Sequence, residues 1–202
     1  MTIKQNWRVQ INLAFLTLCL LALALCAMPT QAATRTYSID AEGSLVQFSW
    51  DFGKTEVRGR MPVVMADASI DFERLGRSNV AVALDAGNAE AGFVFATQAM
   101  RGPRVLDTKA FPLISFVSTS VTRTAPTKAR IDGNVTIRNV TRPIHLWAEI
   151  YRQRGSDQTD LSNLTILLTG TVERSEFGAD GWSDMAGDEV RLHILARIHR
   201  VD

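Results

Sequence analysis

Histidine is the side chain that titrates near neutral pH and the commonest metal ligand, so the three histidines are the first place to look for chemistry. His145 lies between Ile144 and Leu146 in an alternating segment, on its polar edge and therefore toward solvent. His193 and His199 share the polar edge of the last alternating segment, about 20 Å apart along an extended chain, too far to grip one metal ion. The sequence has no Gly-x-Ser-x-Gly elbow, phosphate-binding loop or His-Glu-x-x-His pair. Asp184, Asp188 and Glu189 gather near a C-terminal turn, where a solvated hairpin explains them better than a calcium site. Asn134, Asn139 and Asn163 each open an Asn-x-Thr triplet, which matters only in a glycosylating pathway. These residues predict no catalytic group, no metal and no cofactor. A binding protein is expected, and a hydrolase is the least supported alternative.

Charged side chains offer a second kind of chemistry, the holding of an anionic head group. Arg174 opens the run Arg174-Ser175-Glu176-Phe177-Gly178 and would suit a phosphate at the rim of a cavity. The competing reading is preferred: a structural turn in which Phe177 plugs one end and Gly178 supplies an unusual backbone angle. Arg101 and Arg104 flank Gly102-Pro103 and are equally plausible partners for a head group.

The elements that must position such groups follow a period of two. Apolar Val46, Phe48, Trp50 and Phe52 alternate with polar Gln47, Ser49 and Asp51. The same alternation recurs at Val57–Met61, Ala68–Phe72, Val80–Leu84, Ile114–Phe116, Ala129–Ile137, Ile144–Ile150, Leu164–Val172 and Val190–Ile198. Each segment reads as a half-buried antiparallel strand. Alternation fails between Asn88 and Phe111, where a short helix over Asn88–Met100 and then an irregular loop are expected. Arg152–Asp160 reads as a polar hairpin tip.

Gly59, Gly133 and Gly170 lie on the apolar edges of three strands. Glycine inside a strand marks a bend or a close approach, and several on inward edges favour a coiled sheet closing into a barrel over a flat sandwich. The inward set also includes Ala68, Ala129, Ala148 and Ala196, and so many small residues should leave room inside. The apolar lining expected from the strands is Phe48, Trp50, Val57, Met61, Ile70, Phe72, Ile114, Phe116, Ile131, Val135, Ile137, Ile144, Leu146, Leu164, Ile166, Leu168, Leu192 and Ile194. Phe93, Phe95, Met100, Phe111 and Phe177 are added from the helix and loops.

The first 32 residues have another purpose. Lys4 and Arg8 precede an apolar run from about Ile11 to Ala27, and Thr30 and Ala32 supply small residues for a peptidase. This is the layout of a secretory signal cut near Ala32, leaving one domain over 33–202. An uncleaved anchor is the alternative, although the run is a little short to span a bilayer. Both cysteines, Cys19 and Cys26, would leave with the leader, so the exported domain would rely on its core and not on disulfides. Removing Lys4 and Arg8 from 22 basic residues leaves 20 against 21 acidic, a net charge of −1. No nucleic-acid-binding surface is implied. In a Gram-negative cell the destination would be the periplasm.

Five segments resemble one family. They are Tyr37-x-Ile39-Asp40, Phe111-Pro112-x-Ile114-x-Phe116-x-Ser118, Gly133-Asn134-Val135-Thr136-Ile137-Arg138 with Val140-Thr141-Arg142-Pro143, Arg174-Ser175-Glu176-Phe177-Gly178, and Gly187-Asp188-Glu189-Val190-x-Leu192. In this order, from about Tyr37 to Ile198, they resemble the YceI-like exported lipid-binding proteins. The resemblance implies an eight-stranded antiparallel up-and-down barrel, similar to lipocalins, whose apolar interior holds a long isoprenoid chain such as a polyprenyl lipid or a quinone tail. The chain departs from the family pattern in three places. Gly43-Ser44 and Trp50-Asp51 stand where members often carry histidine, and Asn139 stands where many have glycine. Expected partners are an isoprenoid lipid or quinone, a transient membrane contact and a second copy in a homodimer. A barrel packed solid, or a redox accessory presenting a quinone, are the competing readings.

Overall fold

The computed structural model describes residues 35–152, 155, 157 and 160–201. The leader expected over 1–32 lies outside the described residues, as do positions 153, 154, 156, 158 and 159 of the polar hairpin tip. The elements run β1 (Arg35–Phe52), β2 (Thr55–Met61), β3 (Val63–Ile70), β4 (Asn79–Asp85), β5 (Glu90–Ala91), α1 (Val94–Arg101), β6 (Leu113–Ala125), β7 (Lys128–Ile137), β8 (Val140–Arg152), β9 (Asn163–Glu173) and β10 (Glu189–Arg200). Single 3-10 turns occupy Leu75–Arg77 and Arg174–Phe177.

Closure follows from the pairing. β2 and β3 form one stave interrupted at Pro62, which has no N–H to give the ladder, and both pair antiparallel with β1. Every later stave pairs with the one before it, and β10 returns to β1 from Tyr37–Arg200 to Ser49–Arg191. Counting β2–β3 once and setting aside the two-residue β5, eight antiparallel staves close as an up-and-down barrel. The expected fold class is the observed one. Cross-strand ion pairs decorate the outside, among them Arg191–Asp51 at 2.8 Å and Arg60–Glu90 at 2.7 Å. Exposed pairs of this kind are each worth little.

Two departures from the sequence reading have local causes. The helix begins at Val94 and not near Asn88, because Asn88 donates its backbone N–H to the Asp85 carboxylate at 3.0 Å and Glu90–Ala91 pairs with Gly59–Arg60 as β5. Tertiary pairing overrides helix propensity there. In β1 the register with β10 slips between Asp40 and Leu45. Asp40 Oδ1 accepts the Gly43 N–H at 2.9 Å, and the Ser44 hydroxyl accepts the Arg197 N–H at 3.0 Å. A Cβ on Gly43 would stand 2.2 Å from the Asp40 carboxylate, so a side chain there would require that carboxylate to move off the Gly43 N–H. Asp51 is committed to Arg191.

The turn from β7 to β8 has two residues, Arg138 at φ 49° and Asn139 at φ 63°, matching the doubly left-handed hairpin that suits sheet twist. Asn139 is of a residue type that tolerates this backbone. Arg138 is held there by donating its guanidinium to the carbonyl oxygens of Gly178 and Pro103.

The interior divides into two apolar clusters. One centres on Tyr37, Ile70, Leu75, Leu164 and Ile198, where β1 begins and β10 ends. The other centres on Phe48, Met61, Met100, Ile114, Val135 and Phe177, beside α1 and the turn at Arg174–Phe177.

Candidate functional site

Between and through the two clusters runs a cavity of about 470 Å³. That is far more than a water-sized void and lies within the size range of small-molecule sites. All eight staves contribute to its wall, α1 covers one side of one end, and the only polar side chains among its lining residues are those of Ser78 and Arg174 and the indoles of Trp50 and Trp182. An interior of this chemistry gives water few partners, so it suits an apolar guest.

Most of the residues expected to line such a space are brought together there. Phe48, Trp50, Met61, Ile70, Phe72, Ile114, Phe116, Ile131, Val135 and Ile137 do so, as do Ile144, Leu146, Ile166, Leu168, Leu192 and Ile194. Phe93, Phe95, Met100 and Phe177 join them. Three expected residues stand elsewhere. Val57 is buried opposite Trp50 but outside the lining. Leu164 is consumed by the cluster at the start of β1, facing Ile198. Phe111 lies half-buried in the loop before β6, where the neighbouring Pro112 carbonyl accepts the Ala86 N–H at 2.9 Å.

The inward glycines do not make the space. Phe48 lies across from Gly59 with its ring carbons 2.5 Å from where a Cβ would stand, and Phe116 covers Gly133 at 2.4 Å in the same way. Leu146 takes the place over Gly170 at 2.7 Å. Each glycine is where a neighbouring side chain lies down, which corrects the expectation that these positions stand vacant. The alanines remain: Ala68, Ala129, Ala148 and Ala196 all line the cavity.

The contacts of Arg174 match the preferred reading of its segment as a structural turn. The Arg174 guanidinium donates to four backbone carbonyls, those of Gly187 at 2.9 Å, Ala186 at 2.9 Å, Gly181 at 2.8 Å and Ala179. It therefore pins the segment 179–187 and is not free for a head group. Gly178, at φ 67°, ends the 3-10 turn and sends the Phe177 ring, only 1% exposed, into the barrel as a plug. Asp188 completes the knot, its carboxylate accepting the Ser175 N–H at 2.8 Å and the Ser175 hydroxyl at 2.6 Å. Burial pushes this carboxyl up, but the two Ser175 bonds outweigh it and hold it below the ordinary range. Asp188 is thus part of the turn's framework, not of a solvated hairpin alone. Arg101 donates Nε to the Ala89 carbonyl at 2.8 Å, outside the lining. Arg104 packs its guanidinium 5.1 Å from the Trp182 ring centroid.

Trp182 is the residue that the sequence concealed. It has φ 63°, a backbone state rare for a bulky side chain, and its carbonyl accepts the N–H groups of Met185 and Ala186. Its indole meets Phe95 edge-on at 6.3 Å between centroids. Nothing in Gly181-Trp182-Ser183-Asp184, a polar turn-like run, announces this. The three histidines all sit on exposed positions of β8 and β10, and no cluster of three or more potential metal ligands occurs among the described residues.

The YceI-like domain family matches residues 37–198. The chain belongs to that family. A UPF0312 protein of Vibrio parahaemolyticus is 24% identical over 177 residues, which is 86% of this chain and 93% of the relative. One from Pseudomonas putida is 26% identical over 154 residues, 75% and 80% of the two chains. The fold is shared with BcnA of Burkholderia cenocepacia, at TM-score 0.72 and 17% identity over 79% of this chain and 99% of that one. It is also shared with the YCEI protein of Campylobacter jejuni, at TM-score 0.59 and 15% identity over 87% and 90%. Within this YceI-like chain the two C-terminal motifs, Arg174–Gly178 and Gly187–Leu192, are the segments that clasp one another through Arg174 and Asp188.

Proposed function

We propose that this YceI-like protein is an exported carrier of a long isoprenoid lipid, a polyprenyl chain or quinone tail, working by binding and not by catalysis. The observation that carries the reading is the apolar cavity, open to all eight staves and walled almost wholly by hydrocarbon. It also weighs against a barrel packed solid.

A magnitude indicates the kind of work. Moving a five-carbon prenyl unit out of water gains about 4 kcal/mol, at about 0.8 per carbon. Eight such units would exceed the roughly 18–21 kcal/mol ceiling for non-covalent affinity. A free isoprenoid lies in a bilayer, though, nearly as apolar as the cavity, so exchange between the two is close to balanced. A carrier or buffer between membranes fits that balance better than a scavenger from water. Native mass spectrometry of gently purified protein should find a co-purifying isoprenoid, or uptake of an added one such as a polyprenol. Consistently bare protein that also ignores added polyprenol and quinone would end this reading.

A further inference from the structure

The cavity does not meet solvent equally at its two ends. At the α1 end its lining residues are themselves exposed: Phe95 at 60%, Phe93 at 50% and Met185 at 43%. They form one rim. Phe95 touches Trp182, whose turn carries Met185, and the Met185 carbonyl accepts the Gly53 N–H at 2.8 Å, beside Phe52 of the lining. Val94, the most exposed at 74%, extends the rim outward without lining the cavity. Lys54 stands exposed next to Gly53, Asp184 next to Met185, and Arg104 over Trp182.

We infer that this rim, Phe93, Val94, Phe95, Trp182 and Met185, is a docking surface for a lipid bilayer, through which the guest enters and leaves. The inference rests on the carrier reading and names its partner. Apolar wall and exposed rim are continuous, so whatever covers the rim also covers the exit of the cavity. An isoprenoid sliding out against water would expose each carbon in turn, at a cost per carbon that a bilayer removes. A covering protein would have to replace that apolar phase along the whole guest. Indole and phenyl rings bordered by long cationic side chains are also the groups found at the level of lipid head groups. Lys54 and Arg104 against Asp184 leave this border a net charge of 2 − 1 = +1, too little to require an anionic surface, so a zwitterionic bilayer suffices and binding should change little with salt.

Val94 separates docking from holding. It opens α1, where an acidic residue favours the helix, so Val94→Asp should fold. With phosphatidylcholine vesicles, the mature chain should co-float, and Val94→Asp should reduce both co-flotation and the rate of polyprenol transfer by about tenfold, equivalent to 1.4 kcal/mol of docking. Its polyprenol occupancy in native mass spectrometry should match the unchanged protein. Val94→Trp should strengthen flotation. Absence of flotation by the unchanged chain overturns the inference, whether or not polyprenol is bound. So does a Val94→Asp protein that floats and transfers normally, or transfer that needs an added protein and not vesicle contact. Flotation without polyprenol uptake keeps the docking surface and removes the carrier reading instead.

Discussion

The barrel's two ends are built from the same kind of residue and treat it oppositely. Where β1 starts and β10 stops, Tyr37, Ile70, Leu75, Leu164 and Ile198 are all buried. Tyr37 stacks edge-on against Phe72 at 5.7 Å and donates its hydroxyl to the Leu161 carbonyl at 3.0 Å. Beside it, the buried Asp71 carboxylate accepts the N–H groups of Glu73 and Arg74, setting the turn that presses Leu75 inward. That end is a stopper. At the other end Phe177 is sealed in, while Phe93, Phe95 and Met185, which line the same cavity, stand in solvent. The contrast teaches that, among the residues lining the cavity, exposure of large apolar side chains gathers at one rim.

Breaking the comparison means showing that the ends cost alike. Phe177→Ala should have the largest effect, about 3–5 kcal/mol of stability for a fully buried ring, read by urea unfolding. Leu164→Ala at the stopper should cost about 2–4 kcal/mol and leave polyprenol occupancy unchanged, since Leu164 is not in the lining. Phe95→Ala at the rim should cost less than about 0.5 kcal/mol, as exposed positions do. A Phe95→Ala cost near that of Leu164→Ala would show the rim to be packed and the contrast false. Ala148→Phe tests the space between the ends: it should lower occupancy in native mass spectrometry while far-ultraviolet circular dichroism stays that of the barrel.

The smallest effect concerns pH. The Asp51 carboxyl is lowered by its hydrogen bonds to Arg191, and Asp188 by those from Ser175 after burial is overcome. A depressed carboxyl adds stability that is full above the ordinary value of about 4 and is lost as pH falls below it. The melting temperature should therefore decline into the acid range, and Asp188→Asn should lower it at neutral pH while flattening the decline. A steeper decline in the variant would contradict the assignment.

Much of this was legible in the chain because alternation is a local signal: nearly every inward residue on β6 to β10 follows from the period of two. Gly59 and Gly133 were misread as vacancies because the rings that fill them, Phe48 and Phe116, come from neighbouring staves and are set by side-chain rotamers. Arg174 reads as part of a structural turn, but its four carbonyl acceptors belong to a segment whose path the sequence does not display. Trp182 escaped because its role depends on a left-handed backbone in a polar turn. Patterns along one strand survive reading; partnerships between segments do not.

The seam between β1 and β10 joins Tyr37 to Arg200 and Asp40 to Arg197, residues from opposite extremities of the domain. Until β10, Glu189–Arg200, exists, the ring lacks its final stave and keeps two raw edges, so closure waits on these residues. A chain built this way stays threadable for as long as it is incomplete, a convenience for any protein that must pass through a narrow channel before it takes shape.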